Sequence, residues 1–331
     1  MKIPKSIVLL LRIVVTGVLL LLYFKVSKID FSTLWDNIKG ADKPLLLLAF
    51  FVFFLGYVLA LLRWEMLLKA VKINLPFKRI IISFSGGIFF SLLLPSTIGG
   101  DLMRSVDLAS HTKRPKEVIA TIFLDRLSGY AGLVILALSS LALGYNLIRD
   151  TSVVVSIMAI SAVLFGILLV LFNKFVYTKI NNLLHSPNGG KTRELIKNLH
   201  QEVHYFRHHK RVMLTNLFFS ILIQGIAPLT LFIIAVSLGV RVNIIYFFIF
   251  TPIVSAITLL PISIGGLGVR EGTTTLFFIK AGMMKDLAGA MALINSSFVF
   301  ACGAIGGLVY VLTVHNRRIQ HHQPSALHPH A

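Results

Sequence analysis

Leu93-Leu94-Pro95-Ser96-Thr97-Ile98-Gly99-Gly100-Asp101-Leu102-Met103-Arg104 closes one apolar run, and 166 residues later Leu259-Leu260-Pro261-Ile262-Ser263-Ile264-Gly265-Gly266-Leu267-Gly268-Val269-Arg270 closes another. The two stretches align without a gap and agree at seven of twelve positions, including the proline, the Gly-Gly pair and the final arginine. Proline removes a backbone donor, and paired glycine exposes backbone that hydrocarbon cannot solvate. Such a stretch survives at membrane depth only against protein or a wet cavity. Interrupted apolar segments at matching places in two halves of a chain are the sequence mark of a transporter's binding site.

The rest of the chain supports a membrane setting. Hydrophobic residues make up 56% of the 331 and the mean hydropathy is +0.84, which excludes an ordinary soluble domain. The net charge of +19 does not point to nucleic acid, because the Lys and Arg residues lie between apolar runs rather than on one basic, aromatic-laced surface. Anionic lipid headgroups are the simpler partner. Cys302 is the one cysteine, so neither a disulfide framework nor a thiolate metal site is available, and no metal or other cofactor is expected.

Runs long enough to cross the hydrocarbon core occur at about Ile7 to Phe24, Pro44 to Leu62, Ile119 to Leu143, Val153 to Phe172, Val212 to Leu238 and Leu287 to Val314. The first is read as a retained span, since Lys25-Val26-Ser27-Lys28 replaces any small-residue cleavage site. Two more runs, Ile80 to Leu94 and Ile244 to Leu260, feed the Pro/Gly-Gly motifs, each as a full span or as the descending limb of a re-entrant hairpin. Taking both as re-entrant and both termini as cytoplasmic puts most Lys and Arg inside, although Lys25, Lys28, Lys39 and Lys43 count against it.

The expected architecture is therefore an all-α, polytopic integral membrane protein of the inner membrane, an inverted-repeat helical bundle with two broken, re-entrant segments. A single transmembrane domain covers about 1–318, with a first half to about 173, a basic linker from about 174 to 211, and a second half from about 212. Within the linker, Leu195, Ile196, Leu199, Val203 and Phe206 share one helical face, so an interfacial helix is expected. The His-containing tail, 319–331, is expected to be disordered.

Two arginines and the carboxylates beside them carry the chemistry. Asp101 is expected to cap a helix starting at Leu102, whose positive end, with Gly99 and Gly100 before it, attracts anions. Arg104, one turn further in, adds a planar donor fork suited to phosphate. In the second copy Gly265, Gly266 and Gly268 leave backbone amides approachable, Arg270 repeats Arg104, and Glu271 supplies a carboxylate. This reads as a paired phosphate clamp; the competing arrangement has the arginines snorkelling, or pairing with Asp101 and Glu271.

Asp125-Arg126 lies within a span, where an ionised group facing lipid costs at least about 2.5 kcal/mol, so both are expected to face the bundle interior or a cavity. Neighbours on a helix point about 100° apart, so one is expected to serve the cavity while the other pairs elsewhere. Asp101, Asp125 and Glu271, with Arg126, are candidates for gating ion pairs or proton coupling. Arg63-Trp64-Glu65 reads as an interfacial anchor. No His-Glu-x-x-His, Gly-x-Ser-x-Gly or P-loop is present, so no catalytic residue is assigned.

At these motifs the chain resembles the flippase-like family built on the transmembrane region of lysylphosphatidylglycerol synthase. The resemblance is carried by Leu94-Pro95 through Gly99-Gly100-Asp101 with Arg104, Asp125-Arg126-Leu127, Leu62-Arg63-Trp64, and Leu260-Pro261 through Gly268-Val269-Arg270-Glu271, and spans about residues 7 to 314. In the family's best-known members this region moves aminoacylated phosphatidylglycerol between leaflets, while a separate cytosolic domain attaches the amino acid. No soluble segment here is large enough for that domain. The resemblance thus implies a stand-alone translocator of an anionic or aminoacylated phospholipid or a related lipid, with Arg104, Arg270 and Glu271 at the headgroup. The alternatives are an integral-membrane lipid-modifying transferase, with Asp101, Asp125 or Glu271 as base, or an anchor for a separately encoded lipid synthase held by the basic linker.

Overall fold

The computed structural model describes residues 31–94, 97–147, 151–172, 210–259 and 263–321, with Val14, Gly17 and Val18 before them. Most of the expected first span, the linker up to residue 209 and the tail beyond 321 lie outside the described residues. Ten α-helices, two short 3-10 turns and no strand make up what is described: α1 Phe31–Gly40, α2 Lys43–Ala70, α3 Phe77–Leu93, α4 Thr97–Thr112, α5 Pro115–Gly144, α6 Thr151–Phe172, α7 Lys210–Ser237, α8 Ile244–Thr258, α9 Val269–Lys280 and α10 Lys285–His321. The protein is an all-α polytopic membrane protein.

Local chemistry sets the helix ends. Asp42 caps α2 by accepting from the Leu45 amide at 3.1 Å, and Pro44 occupies the first turn, where a missing N–H costs nothing. Asn243 caps α8 by accepting from the Ile245 amide at 3.0 Å. Helices α2, α5, α7 and the Lys285–Thr313 part of α10 are long and apolar enough to cross a membrane. On α2, Leu47 and Phe51 stay 57% and 60% exposed, the outward apolar face that hydrocarbon rather than water can solvate.

The helices on either side of the two motifs are shorter. With 17, 16, 15 and 12 residues for α3, α4, α8 and α9, and 1.5 Å of rise per residue, each is at most about 25 Å long, less than the roughly 30 Å of a hydrocarbon core. α3 packs on α4 and α8 on α9, so both motifs sit at the turns of helical hairpins. Of the two readings for the runs at Ile80 and Ile244, the hairpin limb is the one the structure adopts.

Contacts along the chain fix the relation between halves. The Asp42 amide donates to the Ser237 carbonyl at 2.8 Å, Gly56 lies against Ile226, and Arg63 donates to Ser220 at 2.8 Å. Positions rise on α2 as they fall on α7, so these corresponding helices are antiparallel. The hairpins that follow them therefore start from opposite ends of the bundle. Each first limb crosses to the other half: α3 packs on α10, with Gly303, Gly306 and Gly307 against Leu92, Ser85 and Phe89, and α8 packs on α5, with Gly144 against Ile245. The hairpin tips meet inside, where Gly265 approaches the backbone of Ser91 and Leu92. This is an inverted repeat in which the halves exchange arms.

Two apolar cores flank that meeting point. Trp64, Leu67, Leu68, Ile80, Leu108 and Leu124 pack beneath the first hairpin. Phe247 and Phe278, with ring centroids 4.5 Å apart, anchor a larger cluster under the second.

Candidate functional site

A cavity of about 480 Å³ opens where the hairpins meet, a size typical of small-molecule sites. Arg104 and Arg270 both line it, as do Gly100, Asp101, Asp125, Arg126 and Gly265. Arg63 adds a fourth guanidinium, and Asp101 and Asp125 are the acidic residues among the lining. Four arginines against two aspartates leave the cavity with an excess of positive charge.

The charges form one connected network. Asp125 Oδ1 accepts from Arg63 Nε at 2.8 Å and Nη2 at 2.7 Å, and Oδ2 accepts from Arg104 Nη2 at 2.9 Å. Asp101 Oδ1 accepts from Arg104 Nε at 3.1 Å and Nη2 at 2.9 Å, and Oδ2 from Arg126 Nε at 2.5 Å. The Arg104 guanidinium also sits 4.9 Å from the Trp64 ring centre and 5.8 Å from that of Phe84, the geometry of cation–π attraction. With its side chain 5% exposed, Arg104 is a fixed strut. The Arg126 side chain is 37% exposed and faces the cavity more openly.

Arg270 is held less tightly. Its Nη2 reaches Glu271 Oε1 at 3.3 Å, and its buried Nε has no partner among the described residues. Glu271, 1% exposed, accepts from the Gly268 amide at 2.5 Å and from the Ser296 hydroxyl. It closes the first turn of α9 in the manner of a capping box and so sets the position of its neighbour Arg270.

The family described as the lysylphosphatidylglycerol synthase TM region matches residues 9–307, most of the chain. The chain belongs to that family. A UPF0104 membrane protein of Pyrococcus horikoshii is 25% identical over 305 residues, covering 84% of this chain and 89% of that protein. A UPF0104 membrane protein of Methanothermobacter thermautotrophicus is 22% identical over 286 residues, covering 80% of this chain and 84% of that protein. Of the motifs that carried the resemblance, Arg63, Gly100-Asp101 with Arg104, Asp125-Arg126 and Arg270 line the cavity, and Trp64, Gly268 and Glu271 support those residues from behind.

Four expectations need correction. Arg63-Trp64-Glu65 is not an interfacial anchor: α2 continues to Ala70, Arg63 and Trp64 are 6% and 0% exposed, and Trp64 Nε1 donates to Thr121. Asp101 does not cap a helix at Leu102, because α4 already begins at Thr97 and Asp101 lies a turn inside it, spent on two arginines. Asp125 and Arg126 both reach the cavity, since Asp101 on α4 stands where it can meet Arg126 while Arg63 and Arg104 take Asp125.

The glycine pairs also differ. A Cβ on Gly100 would fall 2.2 Å from the Gly87 carbonyl oxygen and from Ser91 Oγ, so this glycine lets α4 press against α3 and does not bare its amides. Gly265, Gly266 and Gly268 instead take φ of 59°, 77° and 78°, a left-handed turn that L side chains resist. Identical letters thus serve helix packing in one copy and a turn in the other.

Some lining residues escaped the sequence reading. Thr251, Ser255 and Thr258 line the cavity from α8, and Tyr57, Gln224, Thr274 and Asn295 are among its other polar lining residues. The three hydroxyls recur at i, i+4 and i+7 within an otherwise apolar run, a polar stripe at helical spacing that was there to be read.

Proposed function

We propose that this protein moves a phosphate-bearing lipid between the leaflets of the membrane, with the headgroup in the central cavity and the acyl chains left in the bilayer. The observation that carries the reading is the positive cavity between two opposed hairpins, lined by four arginines and two aspartates. Guanidinium groups bind phosphate through paired donors, and a site with little access to water strengthens that attraction. The cavity holds a headgroup but not two long acyl chains, as a translocator requires.

Arg270, held by one 3.3 Å contact to Glu271, and Arg126, the most open guanidinium of the network, are the arginines that meet the phosphate. Arg104 positions the wall behind them. Antiparallel halves sharing one site allow rocking of one hairpin against the other to expose the site alternately to each side. A transferase fits less well, because every carboxylate oxygen of Asp101 and Asp125 accepts from a guanidinium and Glu271 accepts from the Gly268 amide and Ser296, bonds that make each a weaker base.

The test is lipid movement in vesicles. Purified protein reconstituted with fluorescent phosphatidylglycerol is expected to expose lipid of both leaflets to dithionite, and Arg270→Ala to abolish this while its melting temperature stays near wild type. Wild-type rates from both Arg270→Ala and Arg104→Ala would remove the proposal.

A further inference from the structure

The two halves do not repeat each other at their outer seams. Exchanging them carries α7 onto α2, α5 onto α10 and α8 onto α3, yet α7 packs along both α5 and α8 whereas α2 meets α10 and α3 at few points. Polar bonds and close backbone hold the α5–α7 seam. Gln224 Nε2 on α7 donates to the Gly129 carbonyl on α5 at 2.9 Å, and Ser128 Oγ on α5 donates to Asn216 Oδ1 on α7 at 3.2 Å. A Cβ on Gly132 would fall 2.9 Å from the Ser220 carbonyl carbon, so the two backbones press together there.

Rings close the seam beside α2. Phe50 and Phe53 have ring centroids 5.3 and 6.0 Å from that of Phe298 on α10, and Phe53 lies edge-on to Tyr57 at 5.5 Å. No residue of α2 from Phe50 to Leu62 is buried, although Gly56 in the same stretch packs on Ile226 of α7. Phe53, Tyr57 and Ala60 of α2 also line the cavity, as do Ile88 and Leu92 of α3 and Val299 of α10. Seam and cavity thus share a wall.

The two seams differ in what parting them costs. Separating α5 from α7 in hydrocarbon strands donors and acceptors that no water can satisfy. Separating α2 from α10 loses ring contacts, which an acyl chain replaces with contacts of the same kind. A lipid with its phosphate at the guanidinium groups needs such a passage, because chains drawn into a polar cavity or out into water forfeit the transfer energy of every methylene.

We propose that the acyl chains of the bound lipid lie in the seam between α2 and the α3–α10 pair, with Phe50 and Phe53 parting from Phe298 to admit them, while the α5–α7 seam stays shut. This rests on the translocation reading for a headgroup in the cavity, and it holds for an aminoacylated headgroup as for a plain one.

The experiment maps the chains directly. The full protein in vesicles containing phosphatidylglycerol with a diazirine in one acyl chain is irradiated, and the labelled residues are found by mass spectrometry of its peptides. Label is expected at Phe53 and Val299 as well as at the outward Leu47 and Phe51, which surrounding lipid reaches in any case. In Arg270→Ala the label at Phe53 and Val299 is expected to fall while that at Leu47 and Phe51 stays. In a Cys302→Ala background, bridging Phe53→Cys to Phe298→Cys with dibromobimane is expected to stop lipid movement in the dithionite assay, whereas bridging Ser128→Cys to Asn216→Cys across the other seam leaves the rate unchanged. Movement that survives the first bridge, or is lost equally with the second, overturns the proposal and leaves translocation standing. So does label that persists at Phe53 and Val299 in Arg270→Ala, or label confined to Leu47 and Phe51, the result expected if residues 7–24 occupy the seam. Label that depends on Arg270, in a protein that moves no lipid, would overturn translocation and leave the seam as the site of the chains.

Discussion

Replacing Asp125 by Asn removes one negative charge with almost no change of volume, in a place where that charge serves two buried arginines. Its Oδ1 accepts two bonds from Arg63 and its Oδ2 one from Arg104, and the three side chains are 7%, 8% and 5% exposed. The new amide nitrogen turns a donor toward a guanidinium, and Arg63 is left with Ser220 as its remaining side-chain partner among these bonds. Breaking a buried ion pair by removing one partner costs about 3–5 kcal/mol. Unfolding entropy of about 2.1 cal/mol/K per residue over the 331 residues makes that a fall of roughly 4–7 °C in melting temperature.

A double-mutant cycle separates the pair from the position. Arg63→Met alone strands Asp125 against Arg104, whereas Arg63→Met with Asp125→Asn removes both members of the close pair. The double variant is expected to be more stable than the sum of the two single losses by at least about 1 kcal/mol. Differential scanning fluorimetry in detergent, with the same detergent for all four proteins, reads the cycle. Additivity within about 0.5 kcal/mol, or a melting temperature for Asp125→Asn within a degree of wild type, would refute a network held together by shared carboxylates.

Two further substitutions test the hairpins, with a third on α7 as a control. Gly100→Ala is expected to cost about 1–3 kcal/mol, because its Cβ would meet the Gly87 carbonyl at 2.2 Å, whereas Gly225→Ala, with nothing within 4 Å, should be neutral or slightly stabilising in the same melting assay. Glu271→Gln is expected to lower stability by about 1.5–3 kcal/mol, since it replaces charge-assisted bonds to the Gly268 amide and Ser296, and to slow lipid movement by loosening Arg270.

Much of the fold was legible because membrane insertion imposes strong patterns. The expected spans at Pro44, Ile119, Val212 and Leu287 all recur as helices, displaced at their ends by a few residues where polar groups continue the helix into a buried environment. Arg63 shows why the ends were misplaced: a charge and a tryptophan after nineteen apolar residues look like a headgroup anchor. Asp125, sixty-two residues on, and Ser220 on α7 make burial there tolerable. The candidate site was legible in its arginines and in the Asp125-Arg126 pair, since charges in apolar runs need an interior reason. The hydroxyl stripe was missed because Ser and Thr do not interrupt an apolar run strongly enough to be noticed.

From its sequence alone this protein was fixed as helical and membrane-embedded, with two matching breaks, because apolar run length and the lack of water in hydrocarbon leave few other solutions. Which charges pair was decided by tertiary structure: Asp101 and Asp125 lie on successive helices, α4 and α5, and only packing brings them to Arg63, Arg104 and Arg126. The unequal fates of the two Gly-Gly pairs were decided there too. A glycine's letter permits both a close helix contact and a left-handed turn, and the surroundings of Gly100 and of Gly265 select between them.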